Sequence, residues 1–102
     1  MKTYRELESK VNEWAKDKGI FDKGNPLAQV EKTIEEAQEI KDALLANDRD
    51  ELIDALGDTL VTIIIQAKMN DLDLLDCLDA AYIVISKRSG KMVDGVFVKQ
   101  LN

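Results

Sequence analysis

Residues 31–58, EKTIEEAQEIKDALLANDRDELIDALGD, read as two helical segments joined by a short polar turn. Glu35, Glu36 and Glu39 fall on the first segment; Glu51, Asp54 and Asp58 fall on the second. A helix turns by roughly 100° per residue, so with Glu35 at zero, Glu39 lies near ~40°, Glu36 near ~100° and Ile40, on the apolar stripe, near ~140°. Glu36 therefore borders the core and Glu35 lies towards solvent. On the second segment Glu51, Asp54 and Asp58 share about 60° of arc by the same geometry, and Val61 and Ile65 continue their strip into apolar sequence. The turn carries Asp48 with Glu51 three residues on, a capping-box-like start. A connection of two or three residues makes the two helices antiparallel neighbours.

Outward from this pair, Asn25-Pro26 starts the first motif helix, with Asn as cap and Pro at the first position. Its apolar positions, Leu27, Val30, Ile34, Ala37, Ile40 and Leu44, form one stripe. The second motif helix runs to about Met69. Its later part, Leu60 to Ile65, is apolar on nearly every side, the pattern of a helix buried all round. In a chain of 102 residues this predicts burial at a subunit interface as well as in the core. A strand is the other reading of these β-branched residues. The unbroken pattern on both sides favours helix.

Upstream, Tyr4, Leu7, Val11 and Trp14 recur at helical spacing, and Asp17-Lys18-Gly19 closes a first helix within residues 1–18. Ile20 and Phe21 form a small apolar clip. Downstream, a fourth helix is expected within 72–88, with Leu75, Leu78, Tyr82 and Ile85 inward. Residues 89–102 form a C-terminal arm, in which Asp94-Gly95 between apolar runs is a type I′ hairpin signal. The expected architecture is a single all-α, four-helix-bundle-type domain over 1–102 with a short arm or hairpin, assembled as a homodimer or homotetramer.

The formal net charge is −6, and no histidine is present. The first argues against binding to a nucleic acid polymer, which needs clustered Lys and Arg. The second removes imidazole bases, His-ligated zinc and Ser-His triads, and leaves oxygen ligands suited to Mg²⁺ or Mn²⁺. Cys77 is the only cysteine. It reads as a small core residue and points to a reducing, cytoplasmic setting. No apolar run approaches the ~20 residues of a membrane span, and the N-terminus lacks the pattern of a signal peptide.

Acidic helix faces are usually solvated surface, and that reading stays open for this cluster. Against it, Glu36 and Asp58 adjoin buried positions, and packed carboxylates call for a cation. Lys32 lies on the carboxylate side of its helix. Lys87, Arg88 and Lys91 cluster where the fourth helix meets the arm. These four are the candidate phosphate-binding residues, although a cationic cluster at a helix C-terminus is also favourable by itself. Trp14 and Phe21 read as core or as base-stacking residues.

Glu35-Glu36-Ala37-Gln38-Glu39 resembles the EExxE motif of the MazG-like all-α nucleoside triphosphate pyrophosphatases. Leu56-Gly57-Asp58 and the aliphatic run after it resemble the second half of that family's motif pair. The resemblance extends from the helix bearing Trp14 to the Lys91-Met-Val-Asp-Gly-Val-Phe-Val98 tail. It implies Mg²⁺-dependent hydrolysis of nucleoside triphosphates to monophosphate and pyrophosphate. It also implies metal ligation by Glu36, Glu39 and Asp58, with Glu35 as ligand or water-activating base. Ala55 stands where the family pattern carries a glutamate; Asp54 and Glu51, on nearly the same face, are the possible substitutes, and Asp54 completes the assigned ligand set. The alternative implied by Ala55 is a helical oligomer that binds nucleotide, metal or protein without full turnover.

Overall fold

A computed structural model describes residues 1–100. The final two positions of the expected 89–102 arm lie outside the described residues. The elements are helices α1 (Tyr4–Asp17), α2 (Ile20–Lys23), α3 (Pro26–Leu45), α4 (Arg49–Met69) and α5 (Leu74–Ile85), followed by strands β1 (Gly90–Val93) and β2 (Val96–Lys99). The predicted mainly helical class is the observed one, with the Ile20-Phe21 clip forming the single extra turn α2. The chain divides into two compact units, Met1–Leu72 and Asp73–Asn102.

The helix boundaries follow from local chemistry. The Thr3 hydroxyl accepts from the Glu6 N–H, and the Glu6 carboxylate accepts from the Thr3 N–H, a full capping box. Asn25 caps α3 by accepting from Ala28 N–H at 2.9 Å, with Pro26 behind it. Asp48 caps α4 through Glu51 N–H at 3.0 Å. The end of α3 is a Schellman motif: Asn47 takes φ 55°, its N–H donates to Leu44 O, and Asp48 N–H donates back to Ala43 O. The end of α4 repeats it with Asp71 at φ 54° and Leu72 N–H donating to Ala67 O. Short polar side chains tolerate that left-handed residue, so two helix stops are made without glycine.

In the first unit α3 and α4 pack along each other as an antiparallel pair, and α1 packs on both α2 and α4. Ala43 and Ala55 are nearly fully buried, and small side chains there let the pair approach closely. Thr62, Ile64, Ile65 and Ala67 are also buried, so the second half of α4 is the most enclosed segment, although it is not buried all round as expected: Leu60 is 45% exposed and Val61 and Ile63 are partly buried. The hydrogen bond from Gln29 Nε2 to Thr62 O, at 3.1 Å, ties the pair together.

The buried stripe of α3 is not its most apolar one. Glu36 and Ala43 are buried, and Gln29, Thr33 and Ile40 are partly buried. Leu27 (83%), Ile34 (58%) and Leu44 (61%) remain exposed. Helix α3 thus turns a mixed polar stripe to α4 and leaves its aliphatic stripe uncovered.

The second unit contains α5 and an antiparallel hairpin in which Val93 pairs with Val96. Asp94 and Gly95 both have positive φ, 49° and 86°, as a type I′ turn requires. A methyl group at Gly90 would collide with the Val98 carbonyl oxygen and the Phe97 ring, so the hairpin closes over a bare backbone there. No residue of α5 is buried, and Leu78, Tyr82 and Ile85, expected inward, are each more than half exposed.

Candidate active site

Helix α3 presents Lys32, Glu35, Glu36 and Glu39 on adjacent turns. Three- and four-residue spacing brings such side chains together. Lys32 Nζ lies 3.2 Å from Glu36 Oε1 and 3.5 Å from Glu35 Oε2. Glu36 is only 8% exposed, and its second oxygen, Oε2, is buried without a hydrogen-bond donor. A carboxylate in that position carries a desolvation cost that one lysine only partly offsets.

The neighbouring Glu39 completes a carboxylate pair. The Glu36 and Glu39 carboxyl groups interact, and the interaction drives their proton affinities apart. Glu36 is held below the usual carboxylate range, first by Glu39 and then by Lys32, against the opposing effect of burial. Glu39 is raised, first by its hydrogen bond with Glu36, then by the charges of Glu36, Glu35 and Glu51. Lys32 is raised, first by its hydrogen bond to Glu36 and then by the Glu35 charge. Two carboxylates cannot both be charged side by side without cost, so the pair retains a proton more readily on Glu39.

The facing helix explains the role of position 55. Gln29 meets Thr62 across the pair. Glu36 is two turns further along α3 than Gln29, and Ala55 is two turns back along α4 from Thr62. Antiparallel helices of equal rise therefore put Glu36 level with Ala55. The residue opposite the buried glutamate is a buried methyl group, 1% exposed. Glu51, whose charge is felt at Glu39, lies one turn towards the α3–α4 connection. The helix-face reading gives Glu51 and Asp54 as the possible substitutes for the missing glutamate, and of the two it is the Glu51 charge that acts on Glu39.

Asp54 and Asp58 are exposed. Asp58 was expected to border the core, and Val61 and Ile65 along its strip are indeed partly and fully buried; the acid itself remains in water, where a carboxylate without a donor is cheapest. A glycine inside a helix, such as Gly57, can permit close approach of another backbone. Nothing stands within 4 Å of where its Cβ would be. Among the described residues, no three Asp, Glu, Cys or His side chains converge closely enough to form a ready-made metal cage. Lys87 and Arg88 follow α5, and Lys91 lies on β1, all in the second unit.

In the first unit a cleft of about 410 Å³ is lined by Lys16, Phe21, Asn25, Pro26, Lys68 and Met69 among others. Phe21 is thus both partly buried and cleft-lining, whereas Trp14 is 50% exposed. Cys77, expected in the core, is an exposed free thiol, because α5 buries none of its residues. No helix among the described residues is long and apolar enough to cross a membrane.

Comparison with known proteins agrees with the helical fold. The fold matches that of a cyanophage S-2L MazG-like pyrophosphohydrolase, with a TM-score of 0.75 over 99% of this chain and 100% of the other, at 24% sequence identity. That protein was solved bound to dGDP and three catalytic Mn²⁺ ions per active site. An uncharacterized 18.2 kDa protein from the rep-hol intergenic region of Haemophilus phage HP1 (strain HP1c1) is 30% identical over 73 residues, which cover 72% of this chain. The match spans 45% of the phage protein, so this chain corresponds to less than half of that relative. The family model of the MazG nucleotide pyrophosphohydrolase domain matches residues 25–92, two thirds of the chain and the whole of the α3–α4 pair. The chain belongs to the MazG nucleotide pyrophosphohydrolase domain family.

Proposed function

We propose that the protein hydrolyses nucleoside triphosphates to the monophosphate and pyrophosphate with Mg²⁺, or Mn²⁺ in its place, and serves nucleotide-pool cleaning or regulation. The observation that carries this reading is the buried Glu36, whose Oε2 lacks a donor beside the Glu39 carboxylate, in a chain of this family. Hard oxygen donors with one unsatisfied acceptor fit a small divalent cation. Mg²⁺ is commonly held by one or two carboxylates, with waters and substrate phosphates completing the shell, so a closed protein cage is unnecessary. Glu36 and Glu39 would hold the metal, with Asp54 and Asp58 as further ligands from α4. The cyanophage protein of the same fold, bound to dGDP and Mn²⁺, supports a reading in which the fold binds nucleotide and divalent metal.

When bound, the cation supplies charge neutralisation between carboxylates and triphosphate and polarises the phosphoryl group. The chain's own residues do the rest. Glu35, exposed beside Glu36, takes the proton of the attacking water. Lys32, in the first unit, binds the phosphate oxygens and orients them for in-line displacement; Lys87, Arg88 and Lys91 are the candidate phosphate-binding residues of the second unit. No covalent intermediate is needed, in keeping with the absence of histidine.

The uncovered aliphatic stripe of α3, Leu27, Ile34 and Leu44, supports assembly as a homodimer or homotetramer, since exposed apolar patches of this kind mark contact surfaces. The unpaired Cys77 is compatible with a cytoplasmic setting. Ala55 favours a second reading, in which the family fold binds nucleotide and metal as an interaction module without full turnover. The deciding experiment incubates the protein with a panel of ribo- and deoxyribonucleoside triphosphates and Mg²⁺ or Mn²⁺. Pyrophosphate release that is lost in Glu36→Gln and Asp58→Asn supports the enzyme. Binding without release supports the module, and neither binding nor release removes the first reading.

A further inference from the structure

Lys32 occupies one face of the carboxylate that the proposed metal needs. Its ammonium sits 3.2 Å from Glu36 Oε1 and 3.5 Å from Glu35 Oε2. The other Glu36 oxygen is buried and has no donor. The lysine side chain is 52% exposed and the Glu36 side chain 11%, so the acid is fixed in place while the lysine head has room to leave. An ammonium on a flexible stem is a compact point charge that can change partners without moving the backbone.

Resting on the assignment of Glu36 and Glu39 as metal ligands, we propose that Lys32 is a displaceable counterion: seated on Glu36 in the metal-free protein, it competes with the divalent cation and, once displaced, engages the phosphates of the nucleotide. The physical basis is charge. Lys32 partly neutralises a site containing Glu35, Glu36 and Glu39, and a divalent cation on Glu36 repels the ammonium at this range. The displaced head is still tethered one turn from the acidic cluster, where a polyanionic triphosphate is the natural new partner. Metal and triphosphate then bind with positive coupling: each removes a partner with which the other must compete. A free metal ion is held less tightly than the carboxylates alone would hold it, and the nucleotide complex is held more tightly.

The test uses the full chain with Lys32→Met and Lys32→Arg, folding being checked by circular dichroism. Mn²⁺ binding is measured without nucleotide, and binding of a non-hydrolysable triphosphate analogue is measured at saturating Mn²⁺. Lys32→Met is expected to bind Mn²⁺ alone roughly 3- to 5-fold more tightly, the range of a partly exposed ion pair removed, and the analogue about 10-fold more weakly. Lys32→Arg, with a guanidinium that grips carboxylates by two parallel bonds, is expected to bind Mn²⁺ alone no better than the unchanged chain. In the unchanged chain, Mg²⁺ should shift the Lys32 ammonium resonance, and the analogue should shift it again. Equal Mn²⁺ affinity in the unchanged chain and Lys32→Met, unchanged analogue affinity in Lys32→Met, or an ammonium resonance indifferent to Mg²⁺, overturns the displacement while leaving the metal site standing. Failure of Mn²⁺ to bind the unchanged chain overturns the metal assignment itself.

Discussion

The α3–α4 pair and the α5–hairpin unit draw on the same aliphatic residues and end in opposite states. The first unit buries alanines and isoleucines and, among them, a glutamate. Among its described residues the second buries none, although Leu78, Val96 and Phe97 are as apolar as those of the first. Its strands and turn are nonetheless well specified, since positive φ at Asp94 and Gly95 and backbone pairing fix the hairpin without a core. Local backbone chemistry is sufficient to shape an element, whereas burial requires a partner surface. In the first unit that partner is the neighbouring helix, and its most apolar stripe still remains uncovered.

The comparison yields predictions of decreasing size. Glu36→Gln removes the charge that the first unit buries, and is expected to lower pyrophosphate release by at least about 100-fold with little change in circular dichroism. Lys87→Ala, in the exposed second unit, should raise KM by about 10-fold and leave kcat nearly unchanged, the signature of lost phosphate binding. Equal effects of the two on kcat would erase the functional difference between the units.

Ala55→Glu places a second carboxylate opposite Glu36. In the metal-free protein it should cost about 1–3 kcal/mol in chemical denaturation, because it adds an unpaired buried acid. Saturating Mn²⁺ should restore most of that loss. A variant that is destabilised equally with and without metal would mean that position 55 faces packing alone.

The carboxylate pair gives the site a definite pH response. Glu36 has a lowered folded value, so its contribution to stability is present above the ordinary glutamate range and is lost as pH falls through the lowered value. Glu39 has a raised folded value, so its contribution is present below that range and is lost as pH rises through the raised value. Where Glu39 is protonated, a metal that it ligates must displace that proton. Mn²⁺ affinity is therefore expected to weaken as pH falls through the raised Glu39 value, by up to about 10-fold per pH unit. The decline should begin at higher pH than for an isolated glutamate, and titration calorimetry across pH checks it. Glu39→Gln should flatten the curve in that range.

The smallest effects concern element ends. Asp48→Ala removes the α4 cap and should cost about 1 kcal/mol, read as a lower midpoint in urea. Gly90→Ala, where a methyl would strike Val98 and Phe97, should loosen the hairpin amide protection and leave the midpoint of the first unit unchanged.

The helices and their ends were legible in the sequence because caps, left-handed stops and the I′ turn depend on residues adjacent along the chain. Asn25-Pro26, Asp48 and Asp94-Gly95 each do in the structure what their local chemistry dictates. The acidic motif, and the burial of Glu36 against the exposure of Glu35, followed from helical periodicity. The tertiary structure decided which stripe of α3 faces α4, and it chose Gln29, Glu36 and Ala43 over the more apolar Leu27, Ile34 and Leu44. It also set Ala55 level with Glu36, brought Glu51 near Glu39 and left Asp58 in water. Hydrophobicity ranks faces, but the register of an antiparallel pair depends on contacts between residues far apart in the chain, here the Gln29–Thr62 bond and the close approach that small side chains permit.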